Sequence, residues 1–146
     1  MKKISVEFIV GLFLITGIAA VTYLSVVISG VSAFDSDGYQ LMAKFENSSG
    51  LKRGASIEIA GVKIGRVDSI SLDSETQESM VWLSVDAGVE VQDDAVASIR
   101  TAGIIGDKYI KISTGGGDLL VDGDEIIETE PSISIEELVS KYIFDS

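Results

Sequence analysis

The stretch Ile57-Glu58-Ile59-Ala60-Gly61-Val62-Lys63-Ile64-Gly65-Arg66-Val67-Asp68-Ser69-Ile70-Ser71-Leu72 decides the fold. Apolar residues alternate at Ile57/Ile59, Val62/Ile64 and Ile70/Leu72, the period of half-buried strands, and Ala60-Gly61 stands where a hairpin turn is needed. Val67 falls out of phase with Ile64 and Ile70, just after Gly65. That break predicts a β-bulge, which bends a strand as barrel closure requires.

The same alternation recurs outward from this hairpin at Leu41/Ala43/Phe45, Val81/Leu83/Val85, Val96 with Ile99, Ile110/Ile112 and Ile126. Six or seven short strands are expected, with a second turn at Asp122-Gly123. No long helical period interrupts residues 39–130, so the fold class is all-β, a small barrel. After Pro131 the pattern changes. Ser134 and Glu137 form a capping box, Ile133 is placed to staple onto Leu138, and Ile135, Leu138, Val139, Tyr142 and Ile143 make one helical face. A helix of about ten residues is too short to persist alone in water, so residues 132–146 must dock, either on their own barrel or on copies of themselves.

Ahead of the barrel, Phe8 to Ile28 runs 21 residues without a charge. As a helix it is about 31 Å long, enough to cross the hydrocarbon core of a bilayer, and a transmembrane segment is expected over 8–29. Lys2 and Lys3 precede it while Asp35 and Asp37 follow, which puts residues 1–7 in the cytoplasm and the barrel outside. A cleaved signal peptide ending at Val31-Ser32-Ala33 is the competing reading. The length of the apolar run and Glu7 in its leading segment argue against it. Gly11, Thr16, Gly17 and Thr22 could admit a neighbouring helix.

Composition narrows the function. The 146 residues hold no cysteine or histidine, and the formal charge is −12 with a mean hydropathy of +0.36. Thiol and imidazole chemistry and the usual zinc ligand sets are excluded, and an acidic chain repels nucleic acid. The paired acids Asp93-Asp94, Asp122/Asp124/Glu125 and Glu136-Glu137 sit at turns or a helix start. Asp35-Ser36-Asp37-Gly38 begins like a calcium loop but continues with Tyr39 and Gln40 where a ligand and a glycine belong. Gly115-Gly116-Gly117 has no following Lys-Ser/Thr and reads as a flexible connection rather than a phosphate loop. No catalytic residue, metal site or cofactor is expected. The unusual element is Thr101-Ala102-Gly103-Ile104-Ile105-Gly106-Asp107: adjacent isoleucines cannot both face inward on a strand, so either one points into the barrel and the other into a neighbouring loop, or the pair is an apolar loop presented to an oily ligand or to copies of itself.

Two spaced blocks resemble the MCE (mammalian cell entry) domain family. Phe45-Glu46-Asn47-Ser48-Ser49-Gly50-Leu51-Lys52-Arg53-Gly54, with Ile57, Gly61-Val62, Ile64-Gly65-Arg66-Val67 and Ile70, is similar to its first signature. Gly103-Ile104-Ile105-Gly106-Asp107-Lys108-Tyr109-Ile110 is similar to its second, and Gly117, Leu120 and Asp122-Gly123-Asp124-Glu125-Ile126 to its end. The resemblance covers residues 38–127. It implies a seven-stranded MCE barrel in a homo-hexameric ring with a central pore, anchored in the inner membrane and facing the periplasm. It further implies a non-catalytic subunit of an ABC transporter that moves phospholipids between inner and outer membranes and so maintains outer-membrane lipid asymmetry. An ABC permease, a cytoplasmic ATPase and a periplasmic lipid carrier would be its partners. Ile104 and Ile105 match the family's Gly-Leu-Leu-Gly pore loop and would line a hydrophobic constriction. Ile135, Leu138, Val139, Tyr142 and Ile143 would form a helical tube with their symmetry mates. The alternative is an anchored or secreted monomeric β-domain that binds a small apolar ligand or a partner protein.

Overall fold

The computed structural model describes residues 3–28 and 38–145. Lys2, the cleavage motif at 31–33, Asp35, Asp37 and the last residue of each expected helical region, Ser29 and Ser146, lie outside the described residues. Two compact units result, residues 1–36 and 37–146. In the first, helix α1 spans Val6–Ile28, and none of its side chains is buried within the chain. Its length and composition suffice to cross a membrane. The hydroxyls of Thr16 and Thr22 donate to the carbonyls of Leu12 and Ile18, each at 2.8 Å, so neither presents an unsatisfied donor to an apolar surrounding.

The second unit is a barrel. Its strands are β1 (Tyr39–Phe45), β2 (Ser56–Ile59), β3 (Val62–Leu72), β4 (Ser79–Val85), β5 (Val96–Thr101), β6 (Lys108–Ser113), β7 (Glu125–Ile126) and β8 (Glu128–Glu130), followed by helix α2 (Ile135–Phe144). The sheet order is β7-β1-β4-β3-β2-β6-β5-β8. Its two ends, β7 and β8, are consecutive segments separated only by Ile127, so the chain itself closes the sheet. β7 pairs parallel with β1 and β8 parallel with β5, and the Thr129 hydroxyl donates to the Lys44 carbonyl at 2.7 Å across the seam. The single final strand expected at Ile126 is therefore divided in two. One part serves each side of the closure.

Alternation builds the core. Leu41, Ala43 and Phe45 of β1 and Val81, Leu83 and Val85 of β4 are fully buried, paired in one antiparallel register with Ile57, Ile110, Ile112 and Ile126 behind them. Burying a side chain such as Phe45 or Leu83 contributes about 1.5 to 3 kcal/mol, and these few residues supply most of the barrel's cohesion.

The expected bulge appears twice on β3. Register slips at Ile64, opposite the Ile57–Glu58 step, and at Asp68, opposite the Leu83–Trp82 step. Gly65 lies between them with its α-carbon against the Ser84 carbonyl, where a Cβ would collide. The first slip corrects one expectation: Ile64 and Val67 are buried but Val62 is exposed, because the extra residue reverses the phase. Leu72, the last residue of β3 and paired with Ser79, is exposed as well. On β5 the inward residues are Ala97 and Ile99, and Val96 is only half-buried. Ala60 and Gly61 both take positive φ, 52° and 82°, as the β2–β3 hairpin turn requires. Asp122-Gly123 is a turn but not a hairpin, since it leads into β7, which runs parallel to its neighbour.

Candidate functional site

The β5–β6 hairpin ends at the pair Thr101↔Lys108, and six residues bridge the strands. The Ala102 N–H donates to the Asp107 carbonyl at 3.0 Å, closing the loop at its base. Gly103 turns the chain at φ 73°, and Gly106 passes so close to the Ala102 carbonyl that a side chain there would clash. Between these two glycines Ile104 and Ile105 are pushed outward. They are 78 % and 97 % exposed, so both, not one, face away from the core. Two β-branched residues on a tied loop form a stiff apolar tip, and such a tip is stabilised only by apolar surface from elsewhere.

The tail leaves from the same end of the barrel. Pro131 follows β8, then Ser132 is buried, its N–H donating to the Asn47 carbonyl at 2.8 Å and its hydroxyl to the Ser49 carbonyl at 2.9 Å. The Lys108 ammonium donates to the Ile133 carbonyl at 2.9 Å, which ties the start of the tail to the strand that follows the apolar loop. Ser134 then caps α2 through its hydroxyl, which accepts from the Glu137 N–H at 3.4 Å. Ile133 and Leu138 line the same groove, as the staple requires. None of Ile135, Leu138, Val139, Tyr142 and Ile143 is buried; all are at least half exposed. Ile135 and Leu138 share a groove with Ile99, Arg100 and Thr101 of the barrel, and the stripe keeps at least half of its surface open in the single chain.

Acidic residues do structural work that the sequence did not disclose. Asp94 accepts from the backbone N–H groups of Gly116 and Gly117 at 2.9 and 3.0 Å, which holds its carboxyl below the usual range. The glycine run is thus not a loose connection but a collar around a carboxylate, and a side chain at Gly115 or Gly117 would strike Asp94 or Asp93. Glu130 accepts from the Ser98 hydroxyl at 2.6 Å and from Arg100 at 2.7 Å; the Ser98 bond and the neighbouring cations lower its pKa. This clamp sits one residue before Pro131 and orients the departure of the tail. A short polar residue such as Ser98 inside an apolar strand was the available signal.

A closed barrel with this strand order and an apolar hairpin loop at one end defines a class, the MCE-type domain, here preceded in sequence by one helix long enough to span a bilayer. Comparison with known proteins narrows it. Residues 37–115 match the family model described as MlaD protein. The Haemophilus influenzae "Intermembrane phospholipid transport system binding protein MlaD" is 34 % identical, the alignment covering 99 % of this chain and 90 % of the relative. The protein of the same description from Escherichia coli K12 is 31 % identical over 96 % of this chain and 81 % of its own length. Among solved structures, a chain of the "Acinetobacter MlaFEDB complex in ATP-bound Vtrans1 conformation" superposes with a TM-score of 0.74 at 30 % identity, covering 93 % of this chain and 97 % of that one. The chain belongs to the MlaD family.

Proposed function

We propose that the protein is the membrane-anchored, periplasm-facing binding subunit of a phospholipid transport system, assembled as a homo-hexameric ring whose pore carries lipid between inner and outer membranes. The observation that carries this reading is the exposed pair Ile104 and Ile105 on a tied loop. Six such loops around an axis make a continuous apolar constriction. An acyl chain crossing water without one loses about 0.8 kcal/mol for every methylene left unburied. Helix α1 anchors the chain in the inner membrane with residues 1–7 in the cytoplasm. The largely exposed stripe of α2 supports packing of Ile135, Leu138, Val139, Tyr142 and Ile143 against symmetry mates, a bundle that encloses a lumen no single short helix could. The subunit itself is non-catalytic and needs no cofactor. An ABC permease and a cytoplasmic ATPase supply the energy, and a soluble periplasmic carrier exchanges lipid at the ring.

The test is the double substitution Ile104→Asn/Ile105→Asn in the reconstituted transporter. Because both side chains face outward, folding and subunit number stay unchanged while lipid transfer between donor and acceptor vesicles is lost. Transfer at the unsubstituted rate would assign the loop a purely structural role.

A further inference from the structure

Cations are scarce in the barrel unit: residues 30–146 contain nine basic and twenty-two acidic side chains. Three of the nine gather at one place. Lys52, Arg53 and Lys108 line a hollow of about 200 Å³ together with Gly50, Gly54, Ala55 and Asp107. Asp107 and Lys108 end the apolar loop, so the hollow begins two residues from Ile105. The opposite wall is the loop entering β2, which lies at this end because β2 runs parallel to β6.

That wall is firmly built. Leu51 is buried in the core, the Ala55 N–H donates to the Lys52 carbonyl at 3.1 Å, and the Gly54 N–H donates to the Val67 carbonyl at 2.8 Å. Gly50 and Gly54 take φ of 82° and 85°, turning Lys52 and Arg53 outward between them. The charges in the hollow are not consumed internally. Lys52 meets Asp107 only at 3.9 Å between two highly exposed side chains. Lys108 donates to a neutral carbonyl rather than to a carboxylate. Arg53 has no carboxylate partner among the described residues. With Asp107 counted, the hollow carries a net charge of about +2 on a strongly acidic body, and it is the natural destination of a small anion.

We propose that this hollow binds the phosphodiester of a phospholipid headgroup while the acyl chains lie on Ile104 and Ile105. The inference rests on the conduit reading and adds to it a recognition step at the mouth of the apolar path. Lys52 and Arg53 donate charge-assisted hydrogen bonds to the phosphate oxygens, and the loop geometry sets a cation beside an apolar tip, the polarity of an amphiphile.

The test uses the full chain in a non-ionic detergent and three probes: phosphatidylglycerol, diacylglycerol with the same acyl chains, and inorganic phosphate. Binding to the unsubstituted protein and to Lys52→Gln/Arg53→Gln is followed by calorimetry, with subunit number checked by native mass spectrometry. The unsubstituted protein is expected to favour the phospholipid over diacylglycerol by about tenfold, the factor of one charge-assisted hydrogen bond, and the double variant to lose that preference while still binding diacylglycerol. Equal preference in both proteins overturns the headgroup site but leaves the conduit standing. Failure of the unsubstituted protein to bind either lipid overturns both. If inorganic phosphate binds as tightly as the phospholipid, the hollow is a free-phosphate site and the headgroup assignment falls. A variant whose ring dissociates with its preference intact assigns the cations to a contact between copies, and likewise overturns it.

Discussion

Asp73 shows how a single side chain can hold two strands. One carboxylate oxygen takes the Lys44 ammonium at 2.9 Å, and the other accepts from the Glu75 and Thr76 N–H groups in the turn between β3 and β4. The Lys44 bond first, then the turn amides, lower its pKa from 3.8 to about 2, while the same contact raises that of Lys44 above 10.5. A depressed carboxyl stabilises the fold above its unfolded value and loses that contribution as pH falls through the folded one; a raised ammonium stabilises below its unfolded value and loses it as pH rises further. The pair therefore contributes a plateau between about pH 4 and pH 10, with an acid limb ending near pH 2. In urea titrations, the stability gap between the unsubstituted protein and Asp73→Asn is expected to be constant over roughly pH 5 to 9 and to close toward pH 2. A gap that persists at pH 2 would show that shape, not charge, matters at this position.

At the scale of elements, α2 is the part whose purpose its own chain does not satisfy. Its cap is in place, and the residues of its stripe stay at least half exposed in the single chain. Leu138→Asp/Tyr142→Asp is expected to leave the barrel's circular dichroism unchanged and to shift the assembly toward smaller species in native mass spectrometry; an intact ring would place the stripe's partner elsewhere. The cap and apolar face of this helix were legible beforehand, because caps and a 3.6-residue period are local signals, although it spans Ile135–Phe144 rather than 132–146. So were the strands with clean alternation, β1, β4 and β6. What escaped was everything set by a long-range register. Val62 and Val96 read as inward from their neighbours, but Val62 is exposed beyond the slip at Ile64, and on β5 Ala97 and Ile99 are the buried apolar residues while Val96 is half-buried. The glycine collar around Asp94 was invisible for the same reason, since Asp94 and Gly116 meet across 22 residues. In the candidate site, Ile104 and Ile105 could be picked out because adjacent isoleucines violate strand alternation, whereas nothing local in the sequence sets Lys52 and Arg53 beside Lys108; the fold does.

For the molecule as a whole, the buried apolar side chains lie in the barrel interior, and the exposed isoleucine loop and the start of the tail lie at one end of it. Truncating the largest fully buried side chain, Phe45→Ala, is expected to cost about 3 to 5 kcal/mol in chemical denaturation, with the cavity adding to the lost transfer energy. The surface isoleucines of the loop should change the same measurement little. The seam at Ile127 has a temporal meaning too. Thr129 reaches back 85 residues to Lys44, and β1 meets β7 only after nearly the entire domain has been made. Closure that depends on pairings this distant in sequence is expected to slow folding. Because α2 departs from β8 through Pro131, its sticky face acquires a fixed bearing only once the last strands are seated. A chain that lacks its last strands therefore lacks a correctly aimed α2, so the direction of this helix reports that the barrel has closed.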